Sequence, residues 1–207
     1  MAGRIDRLGG LIASKDSAIG EVASVEGEAF EVFVYPECYP RVHVGDIVIV
    51  DSGDEKAVGV VSRLSHRSRL GSFTPLHRTR SEIREAYPDI ESYYLFTLTV
   101  TYTSHFNGRE IVHMRGAMPK LHDLVYLIED DELIRMFFDA GFDFLLYYVE
   151  GGAGPLEVRE LLHRHSNVLM SVPPAELFEN IARVLLRCWS QNVSAYLEEA
   201  GRVIMGW

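Results

Sequence analysis

Positive charge is concentrated in one stretch of this sequence, SHRSRLGSFTPLHRTR at residues 65–80, which holds four arginines, two histidines and no acid. From Arg63 to Arg84 there are six arginines and one acid, Glu82, so the local formal charge is +5. The remainder of the chain therefore carries −15, because the total is −10. The planar guanidinium fork of arginine suits phosphate and carboxylate groups equally. This stretch is a candidate binding segment for an anionic partner.

The candidate residues of this stretch are cations that can pair with anions, and one ring that can stack on a base or fill an apolar pocket. They are Arg63, Arg67, Arg69, Phe73, Arg78, Arg80 and Arg84. Three environments stay open: acidic surface on the same chain or a neighbouring subunit, for instance around EDDE at 129–132, a nucleic acid, or solvent alone. Broad nonspecific coating of DNA is not expected from an acidic chain.

Other reactive side chains lack the spacing that catalytic or metal sites need. His163 and His165 are two positions apart, so on a helix they point about 200° away from each other. EDDE at 129–132 is typical of a helix N-terminus, where acids meet free N–H groups and the helix dipole. Cys38 and Cys188 form no CxxC pair, and whether they bond to each other stays open. We predict no catalytic residue, no metal site and no cofactor.

The first half of the sequence reads as β-strands joined by tight turns. The runs are, in order, AIGEVASVEG, EAFEVFVY, IVIVD, AVGVVSRL, SYYLFTLTVTYTSHF and LVYLI. Asn107-Gly108 predicts a type I′ hairpin, with His105 and His113 close together across it and no evident third metal ligand. Short strands at regular spacing predict a small antiparallel β-barrel over residues 1–128, with residues 65–92 as a long inserted loop.

The second half, residues 129–207, reads as a helical extension. DDELIRMFFDAG predicts a helix that ends at Gly141, and GPLEVRELLHRH predicts one that begins near Pro155. One long final helix is predicted from Ser171 to Gly201, with apolar residues around most of its circumference. So broad an apolar face predicts burial against more than one neighbour, or a subunit contact. The predicted fold class is α+β, a small antiparallel barrel followed by helices.

Residues 18–150 resemble a HAS-barrel, the N-terminal β-barrel of HerA-type hexameric DNA-translocating ATPases. The resemblance is carried by IGEVASVEG, VHVGDIVIVD, AVGVVSRLSHRSRLG, YLFTLTVTY and GAMPKLHDLVYLIEDDELIRMFF. A valine-glycine-aspartate turn enters a β-run at Val44-Gly45-Asp46, and a proline, Pro119, precedes the last strand and an acidic-capped helix. This family implies a barrel that mediates ring assembly and docks a partner nuclease.

The sequence departs from these ATPases because it contains no Walker A motif. The motif requires a lysine that follows glycine, and here Lys15, Lys56 and Lys120 follow Ser14, Glu55 and Pro119. We therefore expect a non-enzymatic barrel adaptor that binds a protein partner or itself, with an ATPase or nuclease as the partner that the resemblance implies. The alternative is a nucleic-acid-binding module that uses the loop 63–84, and a metal-dependent hydrolase comes third.

The sequence also bears on location. Its apolar runs, such as FDFLLYYV at 142–149, are shorter than the roughly 20 residues that a membrane helix needs. The first residues lack the apolar core of a signal peptide. We expect a cytoplasmic protein without a membrane partner.

Overall fold

Antiparallel strands close a β-barrel in the computed structural model, which describes residues 8–12, 14–53, 55–68, 81–82, 85, 94–116, 118–188 and 192–206. The described strands are β1 (Gly20–Glu26), β2 (Ala29–Val34), β3 (Ile47–Val50), β4 (Lys56–Ser68), β5 (Tyr94–Phe106), β6 (Ile111–Val112) and β7 (Leu124–Leu127). Around the barrel the order is β1–β2–β5–β4–β3–β7 and back to β1, while β6 pairs only with the end of β5. The predicted α+β class is confirmed.

The seam between β1 and β7 is the shortest junction of the closed barrel. Its register holds two residue pairs, Gly20 with Val125 and Glu21 with Leu124. Three further backbone bonds extend it slightly: from Ile19 N to Val125 O at 2.8 Å, from Val22 N to Asp123 O at 3.0 Å and from His122 N to Val22 O at 2.9 Å. In contrast, β4 and β5 are paired along their whole length, from Lys56 with Phe106 to Ser68 with Tyr94.

Helices follow the last strand. In the described part of the chain they are α1 (Asp131–Asp139), α2 (Phe144–Glu150), α3 (Pro155–Arg164), α4 (Ser166–Leu169), α5 (Pro174–Leu185) and α6 (Val193–Met205). The predicted helix end at Gly141 and the predicted start at Pro155 agree with α1 and α3. None of the helices in the described ranges is long and apolar enough to cross a membrane.

The single final helix that we predicted is wrong, because α5 ends at Leu185 and α6 begins at Val193. The two helices pack against each other. Gly201, the predicted helix end, lies buried inside α6, and Gly206 ends that helix with a φ of +71°. The apolar residues that would surround one long helix are thus divided between two shorter helices, each of which buries its own face.

Two apolar cores share one wall, which is the barrel itself. The inner core fills the barrel with residues such as Val48, Val61 and Val100. The outer core lies between the barrel and the helices, and its barrel side is formed by fully buried residues that include Ile47, Ile49, Val58, Val60 and Tyr126. Strand β3 faces both cores, since successive side chains of a strand point to opposite faces. This explains why it reads as an unbroken apolar run.

One turn and one strand end differ in detail from the sequence prediction. The Asn107-Gly108 hairpin exists, but Phe106 pairs with Ile111, so the loop has four residues and is not a two-residue type I′ turn. The Asn107 side chain stabilises this four-residue loop by accepting hydrogen bonds from the N–H groups of Arg109 and Glu110, both at 3.0 Å. The strand that we ended near Leu64 continues to Ser68, because its pairing with β5 extends that far.

Candidate partner-binding site

The candidate site begins with a two-stranded ribbon at one end of the barrel, here called the upper end. Strand β3 pairs with β4 no further than Val60, and β2 pairs with β5 no further than Thr97. Beyond Val60, β4 continues to pair with β5, from Leu64 with Leu98 to Ser68 with Tyr94, while the pairing of β5 with β2 ends at Thr97. We call these paired residues, 64–68 and 94–98, the hairpin arm.

The inner face of the hairpin arm carries aromatic rings that close the upper end of the barrel. Phe96 lies 4.0 Å from the Tyr39 ring and 4.1 Å from the stacked His66 ring, measured between ring centroids. Tyr94 meets His66 edge-on at 5.0 Å. Phe96 also packs on the inner core. These contacts fix the arm to the barrel, as aromatic pairs in this geometry stabilise structure beyond their buried area.

Two of the predicted arginines lie on the outer side of β4. Arg67 is on the outer face of the arm, and Arg63 is one residue before the arm. Arg63 and Arg67 alternate with the inward Leu64 and His66, and both are exposed. Arg67 Nη2 donates to Glu31 Oε1 of β2 at 2.8 Å. An exposed ion pair of this kind contributes only about 0–1 kcal/mol. A carboxylate of another molecule could therefore compete for either arginine at little cost.

The predicted binding residues are only partly within the described structure. Arg63 lies on β4, in the strand predicted over AVGVVSRL, and Arg67 also lies on β4 and not in the predicted inserted loop, because β4 continues through the polar residues SHRS. The remaining predicted residues fall outside the described ranges; they are Arg69, Phe73, Arg78, Arg80 and Arg84. Whether they join the arginines of β4 in one surface stays a prediction.

The acidic stretch 129–132 is engaged elsewhere. Asp130 caps α1 by accepting from the N–H groups of Glu132 and Leu133 at 2.9 and 3.3 Å. The neighbouring carboxylates also have partners: Glu129 accepts from Arg41, and Asp131 accepts from the Asn167 amide at 3.0 Å. The helix-capping interpretation is confirmed, and among the described residues the carboxylate that meets Arg67 is Glu31.

An open cleft of about 430 Å³ lies beside the arm, between β4 and the end of α3. We call it the β4–α3 cleft, and its lining is His43, Val44, Leu64, Glu160, His163 and Arg164. The two histidines of the HRH pattern point apart as expected, since His163 faces this cleft and His165 is buried. No sequence signal identifies His43 or Glu160 as members of this site, because they come together only through packing of the barrel on α3.

The Val44-Gly45-Asp46 turn joins the barrel to α3 beneath this cleft. Asp46 is 3% exposed, accepts from the His43 N–H at 2.8 Å and pairs with Arg164 Nε. Burial raises the pKa of the Asp46 carboxyl, against the opposing effects of the His43 N–H and the Arg164 guanidinium. His165 Nε2 donates to Gly45 O at 3.0 Å. The turn is thus held by a buried carboxylate, paired with the partly exposed Arg164, and by a buried histidine.

The second histidine pair forms no shared site. His113 lies between Ser104 Oγ at 2.8 Å and Gly141 O at 3.0 Å, whereas His105 Nδ1 donates to Met114 O at 2.7 Å. Within the residues that the structure describes, no three His, Cys, Asp or Glu side chains form a group that could hold a metal ion. Cys38 and Cys188 are separate buried thiols.

The buried histidines predict a loss of stability in mild acid. Burial lowers the pKa of His113 and of His165 from 6.5 to about 4. Between these values the unfolded chain binds more protons than the folded chain, so the free energy of unfolding falls as the pH falls from 6.5 to 4. At the acid end of this window, each histidine has lowered the free energy of unfolding by about 3 kcal/mol. Urea unfolding at several pH values measures the slope.

The histidine origin of that slope can be tested with single substitutions. In His113→Asn and in His165→Asn the pH slope should fall by about half, after correction for the lower stability at neutral pH. The exposed His122→Asn is the matched control and should keep the full slope. An unchanged slope in both buried variants would assign the acid sensitivity to other groups.

Comparison with known proteins adds no identity: no protein-family model matches the sequence, and no curated protein matches it. The structure confirms the barrel and the helices, while the HAS-barrel resemblance stays a prediction based on its motifs.

Proposed function

We propose that this chain is a non-enzymatic adaptor that binds a protein partner through the upper end of its barrel. The observation that supports this proposal is the pair of exposed arginines, Arg63 and Arg67, on a paired ribbon whose other face packs on the barrel core through Phe96. A paired strand has less conformational entropy to lose than a free loop when a partner binds.

Two features favour a protein partner over a nucleic acid. The three rings of the arm, His66, Tyr94 and Phe96, lie on the strand face opposite to Arg63 and Arg67, so the arm itself offers no ring beside the arginines on which a base could stack. The total charge of −10 also repels a polyanion at long range, whereas a protein can offer a few local carboxylates. The contact of Arg67 with Glu31 is an example of the pairing that such a partner would provide.

The resemblance to HAS-barrels suggests where such an adaptor would act. It implies a DNA-processing assembly, with a translocating ATPase or a nuclease as the partner, or a ring of several copies of this chain. The basis for this part of the proposal is the set of motifs around Val44-Gly45-Asp46 and Pro119.

The proposal is tested by affinity purification from cells of the source organism, with and without nuclease treatment. We expect a protein partner that remains after nuclease treatment and that Arg63→Glu/Arg67→Glu reduces at least tenfold. The double variant Arg109→Glu/Arg183→Glu makes the same charge change at exposed positions away from the arm, and it should retain the partner. Thermal unfolding confirms that all variants are folded.

Two results would count against the proposal. If the partner is lost on nuclease treatment, and the purified chain binds DNA or RNA with an affinity that falls steeply with salt, the nucleic-acid alternative replaces it. If the chain is a monomer without a protein partner, the adaptor function is wrong.

A further inference from the structure

The edge of β4 that faces α3 has backbone groups beside which the described residues place no strand. Beyond β3, the last pairings on this edge are from Gly45 N to Val61 O at 2.8 Å and from Val61 N to Asp46 O at 2.9 Å. The β4 residues 62–68 pair with β5 on one side, and on the other side the described chain places no strand. Such an edge offers N–H and C=O groups to any extended chain that can reach it.

The β4–α3 cleft meets β4 at Leu64, within this edge segment. Leu64 forms its β4 wall, Glu160 and His163 of α3 lie opposite, and Val44 contributes apolar surface from the turn. An extended peptide can add to a sheet edge through main-chain hydrogen bonds, while pockets for alternate side chains provide specificity. Here the free edge and a pocket for side chains occur together.

We propose that an extended segment of the partner protein adds to the edge of β4 at residues 62–68 as a further strand. Its outward side chains are acidic at alternate positions and meet Arg63 and Arg67, and its inward side chains are apolar and enter the β4–α3 cleft. This inference rests on the proposed adaptor function and specifies how the partner is held.

The charge pattern argues against a second copy of this chain as the added strand. In a two-fold antiparallel pairing centred on Ser65, Arg63 of each copy would lie opposite Arg67 of the other. Like charges directly opposite each other destabilise a strand pair, and charges on an edge strand are a common protection against self-pairing. A strand with acidic residues opposite Arg63 and Arg67 would instead place opposite charges side by side, which stabilises the pair. The occupant that fits the edge is therefore a different, acidic segment.

The first experiment selects a phage-displayed library of random dodecapeptides on the full chain and measures an enriched peptide by fluorescence anisotropy. We expect enriched peptides that alternate acidic and apolar residues and lack proline. Arg63→Glu/Arg67→Glu should weaken binding about tenfold, since two cross-strand charge pairs are lost. Arg109→Glu/Arg183→Glu should leave the affinity unchanged. If no peptide is enriched, or both double variants bind equally well, the inference is wrong.

Amide hydrogen exchange with the same peptide tests the backbone part of the inference. On binding, we expect slower exchange at alternate amides within residues 62–68, because only those pointing to the free edge gain a partner. The amides already bonded to β5 should not change. Slower exchange confined to another surface would overturn strand addition even if the peptide binds.

These results separate the two proposals. If no peptide is enriched but the purified partner is lost in Arg63→Glu/Arg67→Glu, strand addition is wrong and the adaptor function is supported. If the peptide protects the β4 edge while the partner remains bound to that variant, the edge site is supported and the proposed route to the partner is wrong.

Discussion

A chain that ends at residue 128 is expected to be insoluble or unfolded, although it contains every barrel strand that the structure describes. Removing residues 129–207 would expose the outer core, including the fully buried Ile47, Ile49, Val58 and Val60. Exposing one such side chain costs about 1.5–3 kcal/mol. Four of them already amount to a cost similar to the stability of a whole domain, about 5–15 kcal/mol.

The truncated chain is measured by size-exclusion chromatography and by circular dichroism during heating. Co-expression of residues 129–207 as a separate chain is the matched control, and it should restore soluble barrel. A soluble 1–128 fragment with cooperative unfolding would contradict this expectation and would support the division at residue 129 that the sequence predicts.

Gly45→Ala is expected to loosen the contact between the barrel and α3 and to destabilise the chain by about 2–5 kcal/mol. Gly45 has a φ of +87°, which costs an alanine about 1–2 kcal/mol. A Cβ at this position would also lie 2.7 Å from the Leu161 Cα and N atoms. Because these are backbone atoms, the helix must move, and overpacking of this kind costs about 1–3 kcal/mol more.

A matched control for Gly45→Ala exists in another turn of the barrel. Gly53 has a φ of +104°, but nothing lies within 4 Å of a Cβ built there. Gly53→Ala should therefore lose only the conformational part, about 1–2 kcal/mol. Urea unfolding of both variants gives the difference. Equal losses would show that close packing on α3 is not the reason for glycine at position 45.

Much of the barrel could be predicted from local signals, because those signals belong to the strands and turns themselves. The two residues Gly27-Glu28 connect β1 and β2 as expected, with Glu26 paired to Ala29. The acids near residue 131 and Pro155 mark helix starts for local reasons as well, namely capping and a fixed φ. These features depend little on distant parts of the chain.

The hairpin arm and the end of the chain could not be predicted in the same way. Residues 65–68 are polar and lack strand alternation, and they are extended because β5 pairs with them. The break between α5 and α6 follows from packing of the two helices on each other, which is a long-range contact. Sequence periodicity cannot distinguish a broad apolar face from two narrow faces in succession.

The sequence predicts which residues of the candidate site could bind an anion, but not the geometry in which the fold places them. The local excess of arginine indicated an anion-binding surface, and two of its arginines lie on β4. The β4–α3 cleft could not be predicted, since His43 and His163 come from parts of the chain more than a hundred residues apart. Nothing in their local sequence indicates that they meet.

The short seam between β1 and β7 has a consequence for how the chain folds. The barrel can close only when Gly20 pairs with Val125, which lies more than a hundred residues later in the chain. Bringing such distant segments together costs loop entropy that local hairpins do not lose, so contacts of this kind form slowly. During synthesis the β4–β5 ribbon can form before that partner leaves the ribosome. The ribbon that carries Arg63 and Arg67 can therefore exist before the barrel is closed, whereas the β4–α3 cleft is completed only when α3 has been made.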